Sequence, residues 1–148
     1  MERLDYIARQ GGRLTVSGAP AGYDAYVAAE SARRRGGPVL FVALDDAAAE
    51  NAARAIRFFA PGMTVLPFPA WDCLPYDRVS PKPDIESARL STLAILAKGC
   101  GACVIVTTLN AALQRVPPKE WIAAASFSAR TNDEVDREAL VSFLAVNG

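Results

Sequence analysis

The sequence predicts an α/β fold, a parallel sheet with helices on both of its faces. Two observations carry this. Short apolar runs alternate with longer stretches whose apolar residues recur on one side of a helix. Gly, Pro and Asp punctuate the boundaries, where they end one element and open the next. Strands separated by helical crossovers pair in parallel and lie beneath those helices.

Leu14-Thr15-Val16 reads as a first short strand, followed by a turn-rich loop, Ser17 to Gly22. Residues 22–35 read as a helix whose faces are defined by Tyr23, Tyr26, Val27 and Glu30, and Gly36-Gly37-Pro38 stops it. Val39 to Leu44 is a continuous apolar run, as expected of a strand covered on both faces. Asp45 or Asp46 caps the next helix, where Ala48, Ala52, Ala55, Ile56 and Phe59 make a one-sided stripe before Pro61-Gly62. Met63 to Leu66 is a third strand. Residues 67–83 break the rhythm with five prolines, at 67, 69, 75, 81 and 83, among Phe68, Trp71 and Tyr76. Asp84 then caps a helix running to about Lys98. Cys103 to Thr107 is a fourth strand, and Leu109 to Arg115 a short helix closed by Pro117-Pro118. Ser126 to Thr131 reads as an edge strand, and Asp136 to Val146 as a last helix with Ala139, Leu140, Phe143 and Leu144 on one face. The prolines at 117–118 suggest two units: a nucleotide-binding-like α/β domain over 1–117, and the start of a second domain over 118–148.

The composition narrows the chemistry. Among 148 residues there is no His, so imidazole bases, Ser-His or Cys-His nucleophile pairs and His-ligated metals are excluded. Sixteen basic residues balance sixteen acidic ones, which argues against a broad cationic footprint for nucleic acid. No apolar run approaches membrane-spanning length. Three cysteines without a secretory leader lead us to expect a cytoplasmic protein.

The loop after the first predicted strand stands where a phosphate-binding loop belongs. The working pattern, G-x-x-x-x-G-K-[ST], supplies a Lys for the β/γ-phosphates and a hydroxyl for magnesium. Aligned on Gly22, this chain has Ser17 at the first Gly, Tyr23 at the Lys and Asp24 at the hydroxyl. Tyr23 brings no positive charge, and Asp24 sets a carboxylate against the phosphate. A decayed loop is therefore expected, with no catalytic residues, no bound cofactor and no metal.

Other motifs have bland explanations. Cys100-Gly101-Ala102-Cys103 leads into a strand, not a helix N-terminus, and only Cys73 remains as a further metal ligand; incidental thiols are expected. Asp45-Asp46, Asp133-Glu134 and Asp136 all precede helices and read as caps, and Arg33-Arg34-Arg35 as a solvated helix end. The stretch from Phe68 to Pro81 stays open between two readings. Rigid aromatics on a preordered loop suit an interaction surface, for which Trp71, Tyr76, Asp77 and Arg78 are the candidates. The alternative is that these rings cap the sheet and fill the core.

At this loop the sequence resembles a known family. Trp71-Asp72-Cys73-Leu74-Pro75-Tyr76-Asp77, Ser80-Pro81, Asp84-Ile85, Arg89-Leu90-Ser91-Thr92-Leu93, Thr107-Thr108-Leu109-Asn110-Ala111 and Leu113-Gln114-Arg115-Val116 occur in the order seen in the N-terminal region of bacterial transcription-repair coupling factors. The resemblance extends from about Leu14 to the end of the chain.

It implies a helicase-like, P-loop-NTPase-like layer fold similar to the first domain of excinuclease B, with the nucleotide site lost. The family's ATP- and magnesium-dependent translocase motor lies far downstream, so this chain is expected to be a noncatalytic fragment of a longer parent. The implied role is to help recruit excinuclease A to stalled RNA polymerase in nucleotide-excision repair. The partner surface lies mainly in the second domain, and RNA polymerase and DNA are met only through the parent. Two alternatives stand beside it: a DNA-binding module using the Trp71–Tyr76 loop, and a nucleotide hydrolase with an unusual phosphate loop. Excinuclease B uses a tyrosine-rich hairpin near this position, and the shorter, proline-rich loop here departs from that pattern.

Overall fold

The computed structural model describes residues 2–9, 11–73, 80–129 and 131–147. In chain order the elements are α1 (Glu2–Arg9), α2 (Tyr23–Arg35), β1 (Pro38–Ala43), α3 (Asp46–Phe59), β2 (Thr64–Phe68), α4 (Pro83–Lys98), β3 (Cys103–Thr108), α5 (Leu109–Ala112), α6 (Lys119–Ala124) and α7 (Arg137–Asn147). The strands form a parallel sheet in the order β1-β3-β2, with Pro38 and Thr64 both registered on Cys103. The α/β class and the parallel sheet expected from the sequence are therefore present.

One face of the sheet lies against α2 and α3. Ala25, Ala28, Ala29 and Ala32 repeat at helical spacing along α2, and they pack with Ala52, Ala53 and Ile56 of α3 on Val104 and Val106 of β3. Small side chains let two helices sit close to one another and to the sheet. Asp45 accepts a hydrogen bond from the Ala48 N–H at 2.7 Å, as a helix cap should. The opposite face is covered by α4, whose Leu93 and Leu96 pack against Leu66, Phe68, Cys103 and Ile105.

The central strand β3 is buried at all six positions, but β1 is not. The apolar run from Val39 to Leu44 predicts a strand covered on both faces. Instead Leu40, Val42 and Leu44 are 57%, 48% and 93% exposed, because α4 packs over β2 and β3 and leaves this flank of β1 open. A continuous apolar run distinguishes a strand from a helix poorly, and it does not locate the strand within the sheet.

Other expectations need correction. Leu14-Thr15-Val16 is not a strand: among the described residues it pairs with no neighbour, and Leu14 and Val16 are about half exposed. The described part of Ser126 to Thr131 forms no strand either, and Ser126 instead donates its hydroxyl to the Ile122 carbonyl at the end of α6. Asp84 does not cap α4. The helix starts with Pro83 at its first position, preceded by Lys82 without a side-chain cap, and Asp84 and Glu86 lie in the first turn. The helix read from Leu109 to Arg115 ends at Ala112.

Two helices are additional to the sequence reading. α1 packs on α2 and is tied to it by an Arg34–Asp5 ion pair. α6 packs on α4 and buries Ile122. α7 buries none of its residues, although Phe143 meets Phe127 with ring centroids 5.9 Å apart. Among the described residues, no helix is long and apolar enough to cross a membrane.

Candidate functional site

The segment leaving β2 gathers the most chemistry. Pro67 and Pro69 have no N–H to offer, so what fixes this stretch is what its carbonyls accept. Three successive carbonyls each receive a side chain. Thr92 of α4 donates to Pro67 O at 2.7 Å, Thr107 of β3 to Phe68 O at 2.7 Å, and Arg89 of α4 to Pro69 O at 2.5 Å. Next along the chain, the Trp71 N–H donates to Gln114 Oε1 at 3.0 Å, and the same oxygen accepts from Arg89 Nη1 at 3.1 Å. The root of the aromatic, proline-rich loop is thus clamped from α4, β3 and the turn after α5.

Arg89 is the unusual member. It is 1% exposed, yet no carboxylate among the described residues pairs with it. Its guanidinium lies over the rings of Phe68 and Trp71, with Cζ 4.1 and 4.7 Å from their centroids, and among the described residues its Nε has no hydrogen-bond partner. Burial lowers its pKa from the ordinary arginine value. Sequence reasoning takes Arg89, Thr92, Thr107 and Gln114 as carriers of a family resemblance but assigns them no task. Their partners lie 20 to 43 positions away, so spacing offers no signal.

Of the proposed interaction residues, Trp71 is half-buried at the loop root, while Tyr76, Asp77 and Arg78 lie outside the described residues. Asp72 accepts from the Lys82 N–H at 3.2 Å and pairs with its ammonium at 3.6 Å, tying the loop's start to its return. Phe68 is core, and Trp71 sits between core and solvent.

The residues that the sequence aligns with a phosphate-loop pattern fall elsewhere. The chain enters α2 through Gly22, whose φ of 82° is left-handed, so a glycine suits that position. Asp24 Oδ1 accepts the Ala25 N–H at 2.8 Å, occupying a first-turn donor with the protein's own carboxylate. Tyr23 packs beside Tyr26, with centroids 6.0 Å apart. Ser17 lines an open cavity of about 720 Å³ together with Tyr6, Ile7, Pro20 and Tyr23. Among the described residues no strand delivers the chain into this loop, a departure from a strand–loop–helix phosphate site.

A second cleft, of about 480 Å³, opens at the carboxyl ends of β2 and β3 beside α3. Its floor includes Phe68 and Val106, and its rim carries both signs of charge, Asp46 and Glu50 against Arg54 and Arg57. Asp46 lies in the first turn behind the Asp45 cap, in keeping with the helix-start role expected of the pair.

The cysteines require one more correction. Cys100 and Cys103, expected to be incidental thiols, are joined as a disulfide, with Cα atoms 6.2 Å apart. Gly99 and Gly101, both at positive φ, fold the chain back between α4 and β3 and bring the two together. Cys73 is free and partly exposed. Among the described residues, no group of three or more His, Cys, Asp or Glu side chains is arranged to hold a metal ion.

No protein-family model matches the chain. Among curated proteins it is similar to a transcription-repair-coupling factor of Escherichia coli (strain K12), with 34% identity over 119 residues covering 78% of this chain and 10% of that protein. Over 95% of the chain it is 29% identical to a transcription-repair-coupling factor of Myxococcus xanthus, and over 61% it is 31% identical to one of Rickettsia bellii. The chain spans about a tenth of the length of the curated relatives it matches.

Proposed function

The chain is homologous to a region of the transcription-repair coupling factors, and from that kinship we propose that it is a noncatalytic N-terminal module of such a factor. Its work is to scaffold the recruitment of excinuclease A to stalled RNA polymerase in nucleotide-excision repair. In this reading residues 1–117 are the degenerate nucleotide-binding-like domain, and 118–148 begin the partner-binding domain. The parent's other domains then cover the apolar side chains that α6 and α7 leave exposed, among them Trp121, Val141 and Leu144. ATP and magnesium belong to the parent's downstream motor.

One observation carries the noncatalytic part. At the position where a phosphate loop needs a cation and a hydroxyl, Tyr23 is uncharged and Asp24 directs its carboxylate to the helix's own Ala25 N–H. A nucleotide phosphate there would meet an anion in a partly desolvated pocket, where like charges repel. Calorimetric titration with millimolar ATP and magnesium tests this. No saturable heat is expected, and clear saturable binding would restore the nucleotide-hydrolase reading.

The DNA-binding reading keeps one supporting observation, a partly exposed Trp71 whose ring lies beside Arg89. It requires salt-dependent binding to duplex or single-stranded DNA. With equal numbers of acidic and basic residues, the chain is expected to show no mobility shift even at low salt.

A further inference from the structure

We propose that Arg89 and Gln114 are positioning residues for Trp71, fixing the orientation of the loop root before any partner arrives. The inference rests on the reading of that loop as a docking element for its purpose, but not for its geometry.

The two residues form one unit around Trp71. Gln114 Oε1 accepts from both Arg89 Nη1 and the Trp71 N–H, so a single oxygen ties the cation to the backbone that carries the indole. Arg89 also lies over the indole itself and over Phe68, and it caps the Pro69 carbonyl two residues before Trp71. Backbone and ring of Trp71 are therefore both held by this pair. A fully buried cation with no carboxylate among the described residues is a costly group to keep for packing alone. What balances it here is two aromatic faces and two oxygens, an arrangement that only a planar, multidentate cation can satisfy. Thr92 and Thr107 instead donate to the preceding carbonyls, at Pro67 and Phe68. Thr92 and Thr107 thus anchor the segment ahead of Trp71, while Arg89 and Gln114 engage Trp71 itself. An aromatic fixed in advance loses little entropy on docking, which is what a contact residue gains from such a mount.

The chain has two tryptophans, and Trp121 is 59% exposed, so Trp121→Phe leaves Trp71 as the sole reporter. In that background, acrylamide quenching and emission wavelength report how Trp71 is held. Because an ammonium cannot stack on two planar faces, Arg89→Lys is expected to raise the quenching constant about twofold and shift emission to the red. Gln114→Leu removes the shared acceptor while keeping bulk, and is expected to act in the same direction. Thr92→Val loses the Pro67 clamp and lowers the unfolding midpoint, yet leaves Trp71 quenching unchanged. Should Arg89→Lys fail to fold, Gln114→Leu decides alone. Unchanged quenching in folded Gln114→Leu overturns the proposal, as does Thr92→Val raising quenching equally. The readout needs no partner, so failure here leaves the recruitment reading standing, and failure to bind a partner leaves this one standing.

Discussion

Three consecutive carbonyls at the end of β2 are met by side chains from two other elements, and each contact spans at least twenty residues of sequence. At Thr107 the cost of losing such a contact is direct. Thr107 is 1% exposed and its hydroxyl donates to Phe68 O, so Thr107→Val strands a buried acceptor. The expected loss is about 1–3 kcal/mol in denaturant unfolding. The same change at exposed Thr64 is expected to stay within about 0.5 kcal/mol. None of these roles was legible in the sequence, because a hydrogen bond between distant residues leaves no periodic mark. The caps were legible, because the Asp45 side chain and the Ala48 N–H it holds are three residues apart.

The elements that reasoning from sequence placed well are those with a stripe, a cap and a stop inside one window. α3 had all three, and Asp45→Ala is expected to cost about 1 kcal/mol of stability, read as a lower thermal midpoint. Leu14 to Val16 and the described part of Ser126 to Thr131 had suitable composition but, among the described residues, no strand to pair with, and composition cannot supply one. α1 and α6 were missed because each is short and is held by tertiary packing, on α2 and α4 respectively.

The α2 end also has a pH signature. Burial pushes Glu30 up, but hydrogen bonds and charge from Arg33 and Arg34 outweigh it and hold its carboxyl below the usual 4.5. A carboxylate with a lowered folded pKa contributes stability above its unfolded pKa and loses it as pH falls through the folded one. Acidification from above 4.5 downward is therefore expected to loosen the α2 end, where Arg34 also joins Asp5 of α1. Helical circular dichroism in that window should fall less steeply in Glu30→Gln.

At the scale of the whole molecule, the sheet order places β3 in the centre and gives it the only strand among those described that is buried throughout. The α/β class followed from alternation alone, but strand order did not, since β1 and β2 have similarly short apolar runs. Ile56 closes the packing between α3 and the sheet and is fully buried. Ile56→Ala is expected to cost about 2–5 kcal/mol through the cavity it leaves. The disulfide was hidden for a different reason: the C-x-x-C is judged in sequence by the element that follows it, while the pairing depends on the glycine turn that contains it.

The recruitment role is tested most directly by binding of purified excinuclease A, followed by interferometry, to this chain extended by about a hundred residues of the parent, a typical domain's length. The account predicts a saturable complex that forms without added nucleotide. No complex at any concentration tested, with the extended chain folded, would contradict it.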